Sequence, residues 1–480
     1  MKNLAPLLVC ASLAAACSDT ATVVYCDVPH VDAAPDVAME AAAPDVAPDV
    51  APDVAPDVAP DASPDAAPDA APDATLDATV DAAPDAQPDV APDAPAEAGR
   101  ADVPTTPPPR CPACTGLGCT IVEVTTGSRY TCARRASGEV LCWGDNSLGQ
   151  LGDGTTTASS RPVSVLGVCD AAEVEAGSGT ACARRRSGQI VCWGWNGSGE
   201  LGSGYTSAEL MRSPFPIAAF ALDDAVSIEG GAGFFCAIRR TGQVVCWGSN
   251  GGRAIGNGSA EPRFFAPAAV TDLGDAANIA AGQYGCAARV SGQAVCWGNN
   301  FMGRLGNGGN GNNPTPAPMA GLSDATAVAA GVFHTCVARA SGAVACVGDN
   351  ALSELGTAAS PTPTTTAADV PGVAGAVDVT VGYRHTCALL RDGTVSCWGQ
   401  NTVGELGRGT TTPSALPGAV PGLTDLIAVT AHAPNDGPVE GSHTCALRRN
   451  GDLYCWGKND LGQLGDGSTT NRTSPVRVTF

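Results

Sequence analysis

Fourteen cysteines recur as seven pairs, the members of each pair ten residues apart: Cys132 with Cys142, Cys182 with Cys192, Cys236 with Cys246, Cys286 with Cys296, Cys336 with Cys346, Cys387 with Cys397, and Cys445 with Cys455. Thiols at one fixed spacing are either disulfides or packed, reduced pairs. Four more, Cys111, Cys114, Cys119 and Cys169, suffice for four zinc ligands or for two further disulfides whose connectivity the spacing does not give. Cys111-Pro-Ala-Cys114 has the spacing of a redox dithiol, but no alternating strand and helix pattern surrounds it. Cys26 is left over. His334, His385 and His443 each stand two residues before a first cysteine, a spacing that suggests a ring of metal ligands. The same slot holds Tyr130, Thr180, Phe234 and Tyr284 elsewhere, so it reads as a packing slot, and no metal is expected. The chain lacks a Gly-x-Ser-x-Gly elbow, a phosphate loop and a His-Glu-x-x-His helix. No carboxylate pair stands out at matching positions, so neither catalysis nor a cofactor is expected. Arg184-Arg185-Arg186, Arg239-Arg240 and Arg448-Arg449 lie just before turns, as a solvated face or as a basic rim for an anionic polymer.

The elements that carry these residues repeat. The first cysteines are spaced 50, 54, 50, 50, 51 and 58 residues apart. A period near fifty marks a propeller or a solenoid. In the first unit, short apolar runs flank Ala136-Ser137-Gly138. A three-residue hairpin loop favours glycine at its third position, where φ is positive. With Gly138 there, Arg135 faces Glu139 and Cys132 falls opposite Cys142. The same count holds around Gly188, Gly242, Gly292, Gly342, Gly393 and Gly451. Directly opposed residues of antiparallel strands are close enough to bridge, so seven hairpin disulfides are predicted. Each contributes on the order of 2–3 kcal/mol in the entropic model.

A second motif, Trp-Gly-x-Asn-x-x-Gly-x-Leu-Gly, follows each hairpin, from Trp143–Gly152 to Trp456–Gly465. Its asparagine is present in every unit: Asn146, Asn196, Asn250, Asn300, Asn350, Asn401 and Asn459. Asparagine closes turns through its own side chain and tolerates left-handed backbone. The tryptophan suits the gap between neighbouring sheets, with an N–H that needs a partner. Two units depart and are expected to be locally looser. Arg253 replaces the middle glycine of the third; Val347 replaces tryptophan, and Ser353 glycine, in the fifth.

These segments, with His-Thr-Cys, resemble the regulator of chromosome condensation repeat family over residues 121–480. The resemblance implies an all-β fold, a seven-bladed β-propeller of four-stranded blades. Seven units would close one ring and remove exposed sheet edges. Known activities of the family include guanine-nucleotide exchange on a small GTPase, and exported members include enzyme inhibitors. Fold alone does not transfer either activity.

The N-terminal segment reads as an export address. Lys2 precedes the apolar run 4–16, which is too short to span a bilayer. Small residues before Cys17 resemble a bacterial lipoprotein signal, which implies that residues 1–16 are removed and that Cys17 carries acyl chains. Residues 17–104 read as a disordered acidic linker, with an Asp at every fourth position from Asp45 to Asp93 and Pro at nearly every repeat. It holds most of the acid. The net charge of the 480-residue chain is −22, and 17 Asp and 2 Glu against one Arg place −18 of it between residues 27 and 104. The rest is nearly neutral, which excludes nucleic-acid binding by bulk charge. Residues 105–120 form a cysteine-rich lead-in. Such cysteine content fits an oxidising compartment. Irregular insertions bring Phe215, Phe220, Phe264 and Phe265, read as candidate binding loops. The resulting expectation is a monomeric, non-catalytic binding propeller on the outer membrane or cell surface, held to the membrane by a lipid anchor. Its partner is a protein or a cell-surface polymer. The alternatives are an inhibitor of an extracellular enzyme, a guanine-nucleotide exchange factor-like propeller, or a hydrolase, which a carboxylate cluster at the channel mouth would favour.

Overall fold

The computed structural model describes residues 100, 102–432 and 442–480. All of them fall in one compact unit. The signal segment, Cys17, Cys26, nearly all of the acidic linker and the 433–441 insertion lie outside the described residues.

Seven four-stranded antiparallel sheets form the ring, as blades 121–164, 171–218, 225–269, 276–318, 325–369, 376–419 and 426–477. Within a blade the strands follow chain order, and the first lines the central channel. Blade 1 shows the pattern: Ile121–Thr126, Tyr130–Arg135, Val140–Gly144 and Ser159–Ser164. The two middle strands of every blade are almost wholly buried. Blades pack on one another through seven apolar clusters that straddle neighbours, one of them joining Val124 and Trp143 of blade 1 to Leu447 and Leu464 of blade 7.

The hairpin register is the same in every blade. Cys132 lies opposite Cys142, Cys182 opposite Cys192, Cys236 opposite Cys246, and Cys286 opposite Cys296. Cys336 lies opposite Cys346, Cys387 opposite Cys397, and Cys445 opposite Cys455. The three-residue loop ending in glycine thus sets the register that the spacing predicts, and all seven pairs are joined. The bonds Cys132 to Cys142, Cys182 to Cys192, Cys236 to Cys246 and Cys286 to Cys296 have Cα–Cα distances of 4.0–4.1 Å. Those of Cys336 to Cys346, Cys387 to Cys397 and Cys445 to Cys455 are 4.1–4.2 Å. The lead-in cysteines form two more disulfides, Cys111–Cys169 and Cys114–Cys119. The first ties the lead-in to the link between blades 1 and 2. Which terminal strand shuts the ring was not readable from sequence. In the structure no blade mixes the two termini: each is one continuous stretch of chain, and blades 7 and 1 meet without a shared strand, through side chains and a backbone bond from Gly467 N–H to the Ser160 carbonyl at 3.1 Å.

The asparagine of the second motif closes its turn as expected. Asn146 Oδ1 accepts the Leu151 N–H at 3.0 Å, while its amide donates to the Thr155 and Thr157 carbonyls. The other six repeat the bond to the residue five positions on. The two departures keep the backbone but strain it: Arg253 has φ 72° and Ser353 φ 66°, left-handed values that glycine adopts without cost.

Candidate functional site

A bulge in every innermost strand shapes the channel. Register skips one residue in each, for example between Ile121 and Glu123 and between Ala171 and Glu173. Bulges re-aim side chains. The positions just after the skip are Glu123, Glu173, Ser227, Asn278, Ala327, Asp378 and Ala428. The channel they help to form is about 1100 Å³. Its walls are apolar along blades 4 and 5, where Ile279, Val328 and Ala330 face it, and charged along blades 1 and 2.

On the charged side Glu123, Glu173 and Glu175 bring carboxylate oxygens within 4.8 Å of one another. This corrects the expectation that no carboxylate pair stands out. The signal was present in Ile-Val-Glu-Val and Ala-Ala-Glu-Val-Glu, but only knowledge that both strands are innermost and adjacent unites them. Each glutamate is engaged. Arg134, directly across the ladder, holds Glu123 at 2.6 Å, and Arg184 holds Glu173 at 2.9 Å. Ser227 donates to Glu173 and Thr125 to Glu175, at 3.2 and 3.1 Å. Burial, then the charges of Glu123 and Glu175, push Glu173 up to about 7, against the pull of Arg184. Three carboxylates are the donor set of a hard cation. Here two of them already have guanidinium partners, and the arrangement is an ion-pair network.

Four exposed arginines ring one mouth of the channel: Arg186, Arg240, Arg391 and Arg449. They occupy one structural slot, the first residue beyond the second strand of their blades. The slot holds Ala136, Val290 and Ala340 in the other three. Arg186 donates to the Ser137 carbonyl at 2.8 Å, and Arg449 reaches Asp425 at 3.4 Å with both side chains exposed. Arg240 and Arg391 make no ion pair among the described residues. The neighbouring arginines of the sequence runs are committed elsewhere, Arg184 to Glu173, Arg185 to Asp170 and Arg239 to Asp224. Sequence runs thus pointed to three members of the rim; Arg391 stands alone between Leu390 and Asp392 and was missed.

The histidine slot is a set of bolts between blades. His334, His385 and His443 meet Thr386, Thr444 and Thr131 of the next blade at 2.8–2.9 Å. Tyr130 does the same work, donating to the Thr180 carbonyl at 2.7 Å. Burial pushes His334 and His443 down to about 3 and His385 to about 4, so all three are neutral near pH 7. The candidate binding phenylalanines are placed on strands and near them. Phe215 is in Arg212–Ala218, and Phe264 and Phe265 are in Arg263–Ala269, the outermost strands of blades 2 and 3. Phe220 follows the first of these, and all four are half-buried. Phe215, Phe264 and Phe265 thus lie in edge strands, and Phe220 in the turn after one.

Seven such blades around a polar channel make a β-propeller. The chain carries regulator of chromosome condensation (RCC1) repeats. One form of the repeat matches residues 121–150, 171–200, 225–252, 376–405 and 441–463, another 137–184 and 291–338. The chain is similar to the Protein RCC2 homolog of Danio rerio, 34% identical over 97 residues, 20% of this chain and 18% of that protein. It is similar to the Ultraviolet-B receptor UVR8 of Arabidopsis thaliana, 32% identical over 104 residues, 21% of this chain and 22% of that one. The matches thus span less than a quarter of these curated relatives. Among solved structures, Prp20p from Saccharomyces cerevisiae superposes with a TM-score of 0.63 at 19% identity, covering 71% of this chain and 86% of that one.

Proposed function

We propose that the protein is a non-catalytic recognition propeller outside the cytosol, which takes an acidic segment of a partner protein on its arginine rim. The carrying observation is the slot shared by Arg186, Arg240, Arg391 and Arg449. Four guanidinium groups line one opening, and three of them, those of Arg186, Arg240 and Arg391, pair with no carboxylate among the described residues. A low-dielectric mouth lined with one sign of charge focuses the field and draws in the opposite sign. Within the channel the charges of Glu123 and Glu173 are balanced by Arg134 and Arg184, while Glu175, Glu229 and Asp378 also line it. A protein partner is in keeping with the similar Prp20p, which is described with binding properties to Gsp1p and histones.

Nine disulfides among the described residues support an oxidising location. We place the protein at the envelope, with acyl chains on Cys17 and residues 17–104 as a stalk. Capture from an envelope extract tests the reading. Wild-type protein should retain an acidic protein that the Arg240→Glu/Arg391→Glu variant does not. An identical retained set with both would refute it.

A further inference from the structure

The residue before leucine in the Trp-Gly-x-Asn motif has a second task. It is Gln150, Glu200, Ala254, Arg304, Glu354, Glu405 and Gln463 in the seven units. In five of them its side-chain oxygen accepts the backbone N–H two residues earlier, at 2.7–2.9 Å: Leu148, Ser198, Leu352, Val403 and Leu461 donate. Ala254 has no polar atom to offer. The equivalent donor, Gly252, therefore lacks the acceptor that those five have.

The missing side chain leaves space. A crevice of about 280 Å³ opens at Ala254, between blades 3 and 4. Ser249 and Gly252 line it from blade 3, and Gln283, Asn299 and Arg304 from blade 4. In the preceding unit the corresponding space is filled by Glu200, whose carboxylate oxygen reaches the neighbourhood of Gly233 and Ser249, the counterparts of Gln283 and Asn299.

Arg304 adds a charge to this void. It is 1% exposed, lies 4.7 Å from the Tyr284 ring centroid, and donates to the Asn299 carbonyl, to Gln283 and to the Val332 carbonyl. No carboxylate pairs with it among the described residues, and Nη2 makes no hydrogen bond there. A buried guanidinium without a counter-ion is costly, and it is the natural partner of a planar carboxylate. Unit 5 shows a carboxylate in this slot meeting a guanidinium of the following blade: Glu354, where unit 3 has Ala254, is paired with Arg384, which stands where blade 4 has Gln283.

We propose that the crevice beside Ala254 is a carboxylate-binding site, in which a ligand carboxylate replaces the absent glutamate, accepts from Gly252 N–H and pairs with Arg304. The ligand is either a free small carboxylate or an acidic side chain on a peptide. This does not rest on the arginine rim, which lies at the channel mouth.

Titration of the full protein with acetate and, separately, with a tetraglutamate peptide tests it, against chloride at equal ionic strength, by calorimetry and thermal unfolding. Ala254→Glu supplies the carboxylate from within, and Ala254→Gln copies units 1 and 7 should the charged variant fail to fold. Acetate binding should weaken at least tenfold in either variant and stay unchanged in Arg240→Glu/Arg391→Glu, whereas the peptide is titrated in the Arg240→Glu/Arg391→Glu background, where the rim takes no part, and there should weaken at least tenfold when either Ala254 substitution is added. A response to acetate identifies a free carboxylate as sufficient; a response to the peptide alone identifies an acidic side chain. No response to either, or equal binding by the Ala254 variants, overturns the proposal.

Discussion

Trp143 donates its indole N–H to the carbonyl of Gln463, 3.0 Å away across the seam between the first and last blades. The same carbonyl accepts the Thr131 hydroxyl at 2.8 Å. Trp193, Trp247, Trp297, Trp398 and Trp456 each reach the matching carbonyl of the blade before, at 2.7–2.9 Å. The closing seam is therefore the ordinary blade interface used once more, with Phe480 set edge-on against Trp143.

Replacing Trp143 with Phe should cost about 2 kcal/mol or more, from a buried carbonyl that loses a donor and from lost volume. Denaturant midpoints check this. Because no strand crosses the seam, the loss should appear as earlier opening of blade 1 in hydrogen exchange. Unchanged protection there would contradict the part assigned to Trp143 in holding the seam.

Blade 5 lacks this tryptophan, and the volume is made up by its neighbour. Val347 and Met319 together occupy the space beside Gly306 where an indole stands in other blades, and the residues equivalent to Met319 include Val165, Val270, Val370, Val420 and Val478. Val347→Trp alone should destabilise by about 1–3 kcal/mol through overpacking, and Met319→Val should reverse most of it. Additive effects in the double variant would disprove the pairing.

Acid should loosen the ring. Burial pushes His334 and His443 down to about 3, and His385 and His432 to about 4, against 6.5 in the unfolded chain. The unfolded state takes up these protons first, so their stabilising contribution is complete above about pH 6.5 and is lost as pH falls toward 3. Glu173 opposes this. Raised to about 7, it stabilises below 4.5 and loses that contribution as pH rises to 7. His443→Tyr, the residue of blades 1 and 4, should flatten the dependence between pH 3 and 6.5 by up to about 1.4 kcal/mol per pH unit. Denaturant midpoints at pH 4, 5 and 6 measure it; an unaltered slope would mean that His443 is not held neutral.

Repetition made most of the fold legible. The pair Cys132 and Cys142, and Asn146 after it, recur in every unit, so one hairpin and one turn, argued once, apply seven times. Contacts set by the ring were not legible. Glu123 meets Glu173 only because two innermost strands, fifty residues apart, stand side by side. Cys111–Cys169 depends on the path of the lead-in, and the Phe264 and Phe265 segment gives no sign of being an outer strand, since insertions and irregular strands share its composition. Arg391 shows the limit of reading runs: its slot on the hairpin, not its neighbours in sequence, brings it to the rim.

The most direct test of rim recognition is the affinity of the full protein for a polyglutamate peptide, by fluorescence anisotropy at low and high salt. Wild-type binding should weaken steeply with salt and fall at least tenfold in Arg240→Glu/Arg391→Glu. Equal affinity in the two proteins would contradict the assignment of that opening to an acidic partner.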